Sequence, residues 1–198
     1  MWFRKNMGWV VTQTPALLIA LLLAIFPHKH KLLIQISGYS AVGFLALVLL
    51  LNPLIHMFPA IIKLKKLNRY RREIGVACFS FALVHIACFV TKHGIPKVFT
   101  FMIHPALIPV IFIAFPIFLL LALTSNNVSI KKLGFMKWKK LHKKVYFAEV
   151  AIFFHMFLVG KKLYAFLIFV PLFTLQWIRQ SQRKQTEKRK EILKEITG

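Results

Sequence analysis

Ala77-Cys-Phe-Ser-Phe-Ala-Leu-Val-His85-Ile-Ala-Cys88-Phe-Val90 and Phe147-Ala-Glu149-Val-Ala-Ile-Phe-Phe-His155-Met-Phe-Leu-Val159 are long apolar segments, each with a histidine well inside it. A histidine at that depth in a bilayer is costly and marks a functional site until a partner is found for it. The chain around them is 58% hydrophobic with a mean hydropathy of +0.66 over 198 residues, which is too apolar for a soluble domain. A hydrocarbon core of ~30 Å is crossed by ~20 helical residues. Six stretches approach that length: 8–26, 32–55, 73–91, 106–124, 145–160 and 163–178. The expected fold is an all-α membrane protein, a six-transmembrane-helix bundle over residues 1–178 followed by a basic tail over 179–198. The first stretch follows Arg4 and Lys5 as a signal peptide would. Its core is long and no small-x-small cleavage site precedes Pro27, so it is expected to stay as an anchor.

The net charge of +23 raises the question of a polyanionic partner, and the position of the charges answers it. Of the Lys and Arg residues, 22 fall in the N-terminus, the second-to-third loop, the fourth-to-fifth loop and the tail, against 6 in the other three loops. This is the positive-inside pattern, and it places both termini in the cytoplasm. The basic residues form short boundary clusters rather than a face interleaved with aromatics, so anionic lipid is the expected partner and nucleic acid is not.

Other chemistries have little to work with. Cys78 and Cys88 lie ten residues apart in one helix, about 15 Å at the helical rise, and cannot bridge each other. The chain has no Asp and five Glu, three of them in the tail. Glu149, one turn inside the fifth helix, is expected to be a boundary residue paired with a neighbouring Lys, with proton transfer as the alternative. No phosphate loop or nucleotide fingerprint is present, so nicotinamide or flavin chemistry must be supplied by a partner or a small donor. The tail, with Ile192, Leu193 and Ile196 among its charges, reads either as a surface helix or as disordered chain.

The histidine depths are calculable. His85 lies about 18 Å beyond Glu73 and His155 about 17 Å beyond Lys144, on helices that run in the same direction. Two level imidazoles facing each other across a gap form the geometry of bis-histidine heme ligation, and iron with both axial positions filled transfers electrons. Taken singly, either histidine would be expected to bond a neighbouring backbone or a serine. His28, His30, His93 and His104 are scattered over short loops without acidic or thiol company, and are read as solvated residues.

The segment Leu133-Gly-Phe-Met-Lys-Trp138-Lys-Lys-Leu-His142-Lys-Lys-Val-Tyr146 resembles the tryptophan-to-histidine motif of the ferric-reductase-like transmembrane family. Arg71-Arg-Glu-Ile-Gly75 resembles the entrance of that family's third helix, Leu121-Ala-Leu-Thr-Ser125 the end of its fourth, and Ser37-Gly-Tyr-Ser-Ala-Val-Gly43 with Asn52-Pro-Leu54 its second. Together these stretches cover roughly residues 35 to 160, and the first is the most specific. The resemblance implies heme b, one or two groups, with His85, His155 and His142 as heme-associated histidines. For a six-helix member without fused flavin and nicotinamide domains it implies a bacterial inner-membrane electron-transfer subunit. Electrons would come from a cytoplasmic flavin reductase or the quinol pool and pass to a periplasmic molybdopterin enzyme that repairs oxidised methionines. The alternatives are a stand-alone ferric reductase and, from another class, a heme-free transporter or assembly factor.

Related oxidases stack two hemes between the third and fifth helices, each helix giving two histidines 13 or 14 residues apart. Here positions 71 and 72 are Arg, so a second pair is incomplete. His142 and His155 also stand about 140° apart in azimuth on an ideal helix, so a bend or an unwound start is required. His142 is therefore read either as a ligand of a second heme or as a propionate contact. His56 is a weak candidate for the missing ligand and reads more simply as a boundary histidine. Arg71 and Arg72 are read as a positive-inside clamp or as an anion site for heme propionates, FMN or a quinone head group. Trp138 is either a membrane-belt residue or a wall of that site.

Overall fold

The computed structural model describes residues 2–26 and 29–197, which form helices joined by short turns, with no strand among them. In chain order they are α1 (Trp2–Ile25), α2 (His30–Met57), α3 (Ile62–Asn68), α4 (Arg71–His93), α5 (Ile95–Met102), a π segment (Val110–Ala114) running into α6 (Phe115–Leu123), α7 (Asn127–Leu133), α8 (Phe135–His142), α9 (Val145–Leu158) and α10 (Lys162–Thr197). Four of these, over Gly8–Ile25, His30–Met57, Arg71–His93 and Lys162–Leu193, are long and apolar enough to cross a membrane. The chain is an integral membrane protein.

The two remaining expected spans are shorter than the sequence suggested. The stretch 106–124 is regular only from Val110 to Leu123, and after it the chain bends by 96° into α7. Pro116 explains the widened turn before it. Proline has no N–H for the carbonyl four residues back and its ring clashes there, so residues 110–114 open into π geometry rather than break. The stretch 145–160 becomes the 14-residue α9, about 21 Å long, and ends before Gly160 at φ +82°. The last helix is longer than expected. It carries the basic tail from Arg179 onward without a break, so that α10 has 36 residues and a length of about 54 Å.

Packing follows side-chain size. Ala148, Ala151 and Ala165 are buried, and with Leu45, Leu49, Cys78, Phe118, Ile152, Phe169 and Leu172 they form one core among α2, α4, α6, α9 and α10. Small residues at helix contacts let backbones approach, which drives association where lipid removes the hydrophobic driving force. Phe147, next to Ala148 in sequence, is 68% exposed, as expected for a lipid-facing position. α4 packs on α2, α1 and α6, and α9 packs on the π segment, α6 and α10. Among the described residues α4 and α9 share no extended interface of their own. The two histidine-bearing helices are thus held apart by their neighbours.

A histidine pair and a cationic cavity

His85 lies on α4, half-buried against α2. Its Nδ1 is 2.9 Å from the carbonyl oxygen of Ile34. Gly38 makes this approach possible, because a Cβ there would stand 2.9 Å from His85 Nδ1 and 3.0 Å from Cε1. His155 occupies the last turn of α9, and its Nδ1 is 2.7 Å from the carbonyl oxygen of Ala106. A carbonyl oxygen can only accept, so in both rings Nδ1 carries the proton and donates it, and Nε2 keeps its lone pair. Among the described residues neither Nε2 has a hydrogen-bond partner. An imidazole oriented through Nδ1–H to a backbone carbonyl, with Nε2 left over, is the usual arrangement of a metal-binding histidine. This donor set fits the axial ligation expected from the sequence.

At the other end of the bundle a cavity of about 530 Å³ lies between the start of α4, the ends of α2 and α6, the α8–α9 junction and α10. Arg69, Arg71, Arg72, Lys139, Lys143, Arg179 and Arg183 line it, and no carboxylate does among the described residues. Trp138, His142, Tyr146, Asn52 and Asn68 supply polar and aromatic wall. Arg71, Arg72, Trp138 and His142 are therefore brought together, whereas His85 and His155 are not part of this cavity.

Local chemistry holds the wall in place. Gly134, at φ +74°, turns α7 into α8 with a backbone that other residues rarely adopt. Trp138 then donates its Nε1–H to the Thr124 carbonyl at 2.9 Å, and its ring lies 4.1 Å from that of His142. The Thr124 hydroxyl donates to the Leu120 carbonyl at 2.7 Å, so its oxygen accepts from His142 Nε2–H at 3.1 Å. His142 Nδ1 is left with its lone pair. Burial, and then Arg71 and Arg72 nearby, hold the His142 pKa down at about 4, so the ring is neutral at physiological pH. Arg72 donates to Asn127 Oδ1 at 2.7 Å and lies 6.0 Å from the Trp138 ring centre. Buried Asn68 Oδ1 and Arg179 Nε, both of cavity-lining residues, have no hydrogen-bond partner among the described residues.

The helix is interrupted between His142 and His155, since α8 ends at His142 and α9 begins at Val145. His56 is exposed in the last turn of α2 and does not line the cavity. Glu149 corrects the sequence reading. It is 1% exposed, and its partner is no lysine but Gln176, whose Nε2 donates to both carboxylate oxygens at 2.9 and 3.1 Å. At the far end His30 Nδ1 lies 3.4 Å from the Thr91 hydroxyl, His93 packs against Phe89 and Phe101, and His104 Nδ1 accepts from the Ala106 N–H at 3.2 Å. His28 lies outside the described residues. No group of three metal-ligating side chains converges among those described.

Several site residues were not singled out from the sequence. Arg179 and Arg183 were counted only as tail charges, though their spacing of four puts them on one helix face. Gly38 sat within the Ser37–Gly43 motif, but its contact with His85 requires two helices to be brought together. Tyr146 and Thr124 were quoted as motif letters without a role.

Comparison with known proteins agrees with the sequence reading. The family model of the ferric reductase like transmembrane component matches residues 37–154, more than half of the chain, and ends one residue before His155. Heme-binding subunits MsrQ of the protein-methionine-sulfoxide reductase from Brucella ovis, Brucella canis and Brucella suis are each 34% identical over 117 residues. The alignment covers 58% of this chain and 50% of each relative, so the chain spans about half the length of the curated relatives it matches. No solved structure matches. With the matched region taking in α4 and its His85, the cavity-lining Arg71 and Arg72, and the Trp138–His142 wall, the chain belongs to the ferric-reductase-like transmembrane family.

Proposed function

We propose that the protein is a heme b electron-transfer subunit of a bacterial inner membrane, with His85 and His155 as the axial ligands. The observation that carries this reading is the paired use of Nδ1, bonded to Ile34 and Ala106 carbonyls, which leaves both Nε2 lone pairs for iron. The names of the relatives, heme-binding subunits of a methionine sulfoxide reductase, support it. When bound, the heme would supply one-electron chemistry, held by His85 and His155.

The protein's own part is orientation, exclusion and charge. The two backbone carbonyls set each ring's tautomer and aim, and Gly38 keeps the helix surface clear for His85. Six membrane crossings with both termini cytoplasmic accommodate the charge asymmetry, with the α6–α7 bend and the short α9 completing the bundle. The cationic cavity then lies on the cytoplasmic side. Arg71 and Arg72, with Trp138 and neutral His142, hold an anionic planar group there, a heme propionate edge, FMN or a quinone head group. A cytoplasmic flavin reductase or quinol is the donor, and a periplasmic molybdopterin methionine sulfoxide reductase is the acceptor.

The test is the absorption spectrum, oxidised and dithionite-reduced, of detergent-purified protein made with heme precursor supplied. A low-spin b-type spectrum that disappears in His85→Ala and His155→Ala supports the assignment. A wild-type protein without a Soret band refutes it.

A further inference from the structure

We infer that Glu149, held by Gln176 beneath the cationic cavity, is a proton-uptake site that binds one proton from water for each electron the bundle accepts; this rests on the electron-transfer reading above. Glu149 stands three and four residues after Tyr146 and Val145, and Gln176 three residues before Arg179, all three of which line the cavity. These spacings put the acid and its amide on the cavity-facing sides of α9 and α10, one turn deeper. The carboxyl is 1% exposed, and one amide nitrogen bridges its two oxygens.

Among the described residues its hydrogen-bond partner is Gln176, not a cation. The titratable groups that α4, α9 and α10 bring to the neighbouring cavity are Arg71, Arg72 and Cys78, Tyr146, and Arg179 and Arg183. The π segment and α6 carry no titratable side chain over residues 110–123. An ionised carboxyl buried beside a neutral amide carries a desolvation cost that protonation removes. Charges interact strongly across such an interior, so one more electron in the bundle raises that cost further.

The step balances. One electron from a reduced flavin, a quinol or an added chemical reductant enters the bundle. One proton leaves a hydronium ion and forms an O–H bond on Glu149, and the net charge of the protein is unchanged.

The experiment uses the full-length heme-loaded protein in detergent. Proton uptake on reduction is measured with a pH-indicator dye in weakly buffered solution, and the midpoint potential is followed optically against pH. Wild type is expected to take up about one proton per electron within a window of pH where its potential falls as pH rises. Glu149→Gln keeps the shape and removes the acid, and is expected to lose that uptake and the slope while retaining its Soret band. Gln176→Ala keeps the acid and removes its amide partner, and is expected to displace the pH window. Unchanged proton uptake in Glu149→Gln overturns the inference and leaves the heme reading standing. If Glu149→Gln does not fold, an undisplaced window in Gln176→Ala overturns it instead. Absence of a Soret band in wild type removes both readings.

Discussion

At one end of the bundle His85 and His155 rest on the backbone carbonyls of Ile34 and Ala106; at the other, His142 lies under Trp138 with Arg71 and Arg72 at hand. The first two rings lie in apolar segments, where directional hydrogen bonds to backbone carbonyls are the means of orienting an imidazole. The third is buried beside fixed positive charges, where burial and then the arginines decide its protonation. The comparison teaches that histidines in this fold are set in two different ways. In the apolar half a donor bond to a backbone carbonyl fixes the ring's tautomer and aim, and in the cationic half burial and then Arg71 and Arg72 keep the ring from taking a second proton.

The strongest way to break the comparison is at the apolar pair. His85→Ala and His155→Ala should each abolish the b-type Soret band, whereas His142→Ala should leave a Soret band from the principal heme. Equal loss in all three would erase the distinction between the ends.

A subtler change tests whether the backbone anchors matter. Gly38→Ala puts a methyl group 2.9 Å from His85 Nδ1, so the ring must shift and its bond to Ile34 must lengthen. Loss of such an orienting contact lowers metal affinity by roughly 10-fold or more. Heme titration of the apoprotein measures this, and wild-type affinity in the variant would show that the ring is positioned by something else.

The cationic end should show itself in pH dependence. His142 has its folded pKa lowered from 6.5 to about 4, so above pH 6.5 it contributes no slope to stability. As pH falls from about 6.5 to about 4 the unfolded chain binds a proton that the folded protein refuses, and stability falls. Thermal unfolding in detergent across that range should be less pH-dependent in His142→Gln than in wild type. Replacing Arg71 and Arg72 with Gln should restore part of the lost basicity, and an unmoved titration would leave burial as the whole cause.

The smallest effect is expected at Trp138→Phe. This keeps an aromatic ring over His142 but removes the 2.9 Å bond to the Thr124 carbonyl, at a cost of about 1 kcal/mol. Denaturant unfolding with an unchanged heme spectrum would place that residue in the cavity wall alone.

Much of this was legible in residue order. Apolar run lengths and the placement of Lys and Arg marked a helical membrane protein, and the Leu133–Tyr146 stretch with Arg71–Gly75 marked its family. Those signals are local, since a bilayer selects for composition over about 20 consecutive residues and a motif is read within a few turns. Helix ends were less legible. Pro116 gave no hint that its strain would be taken up as a π segment, and Phe157-Leu-Val159 read as continuing a helix that stops at Leu158.

The residue types at the site were set by the sequence alone: two deep histidines, a double arginine, a tryptophan and a histidine four positions apart, and a single intramembrane glutamate on the fifth helix. Which atoms face which was decided only by tertiary structure. Gly38 beneath His85, Ala106 behind His155, Gln176 across Glu149, and Arg179 closing the cavity over Tyr146 are all pairings between segments distant in sequence. Helical periodicity fixes the face a side chain occupies relative to its own helix, but the rotation of one helix against another is set by how small residues such as Ala148, Ala151 and Ala165 let the backbones close.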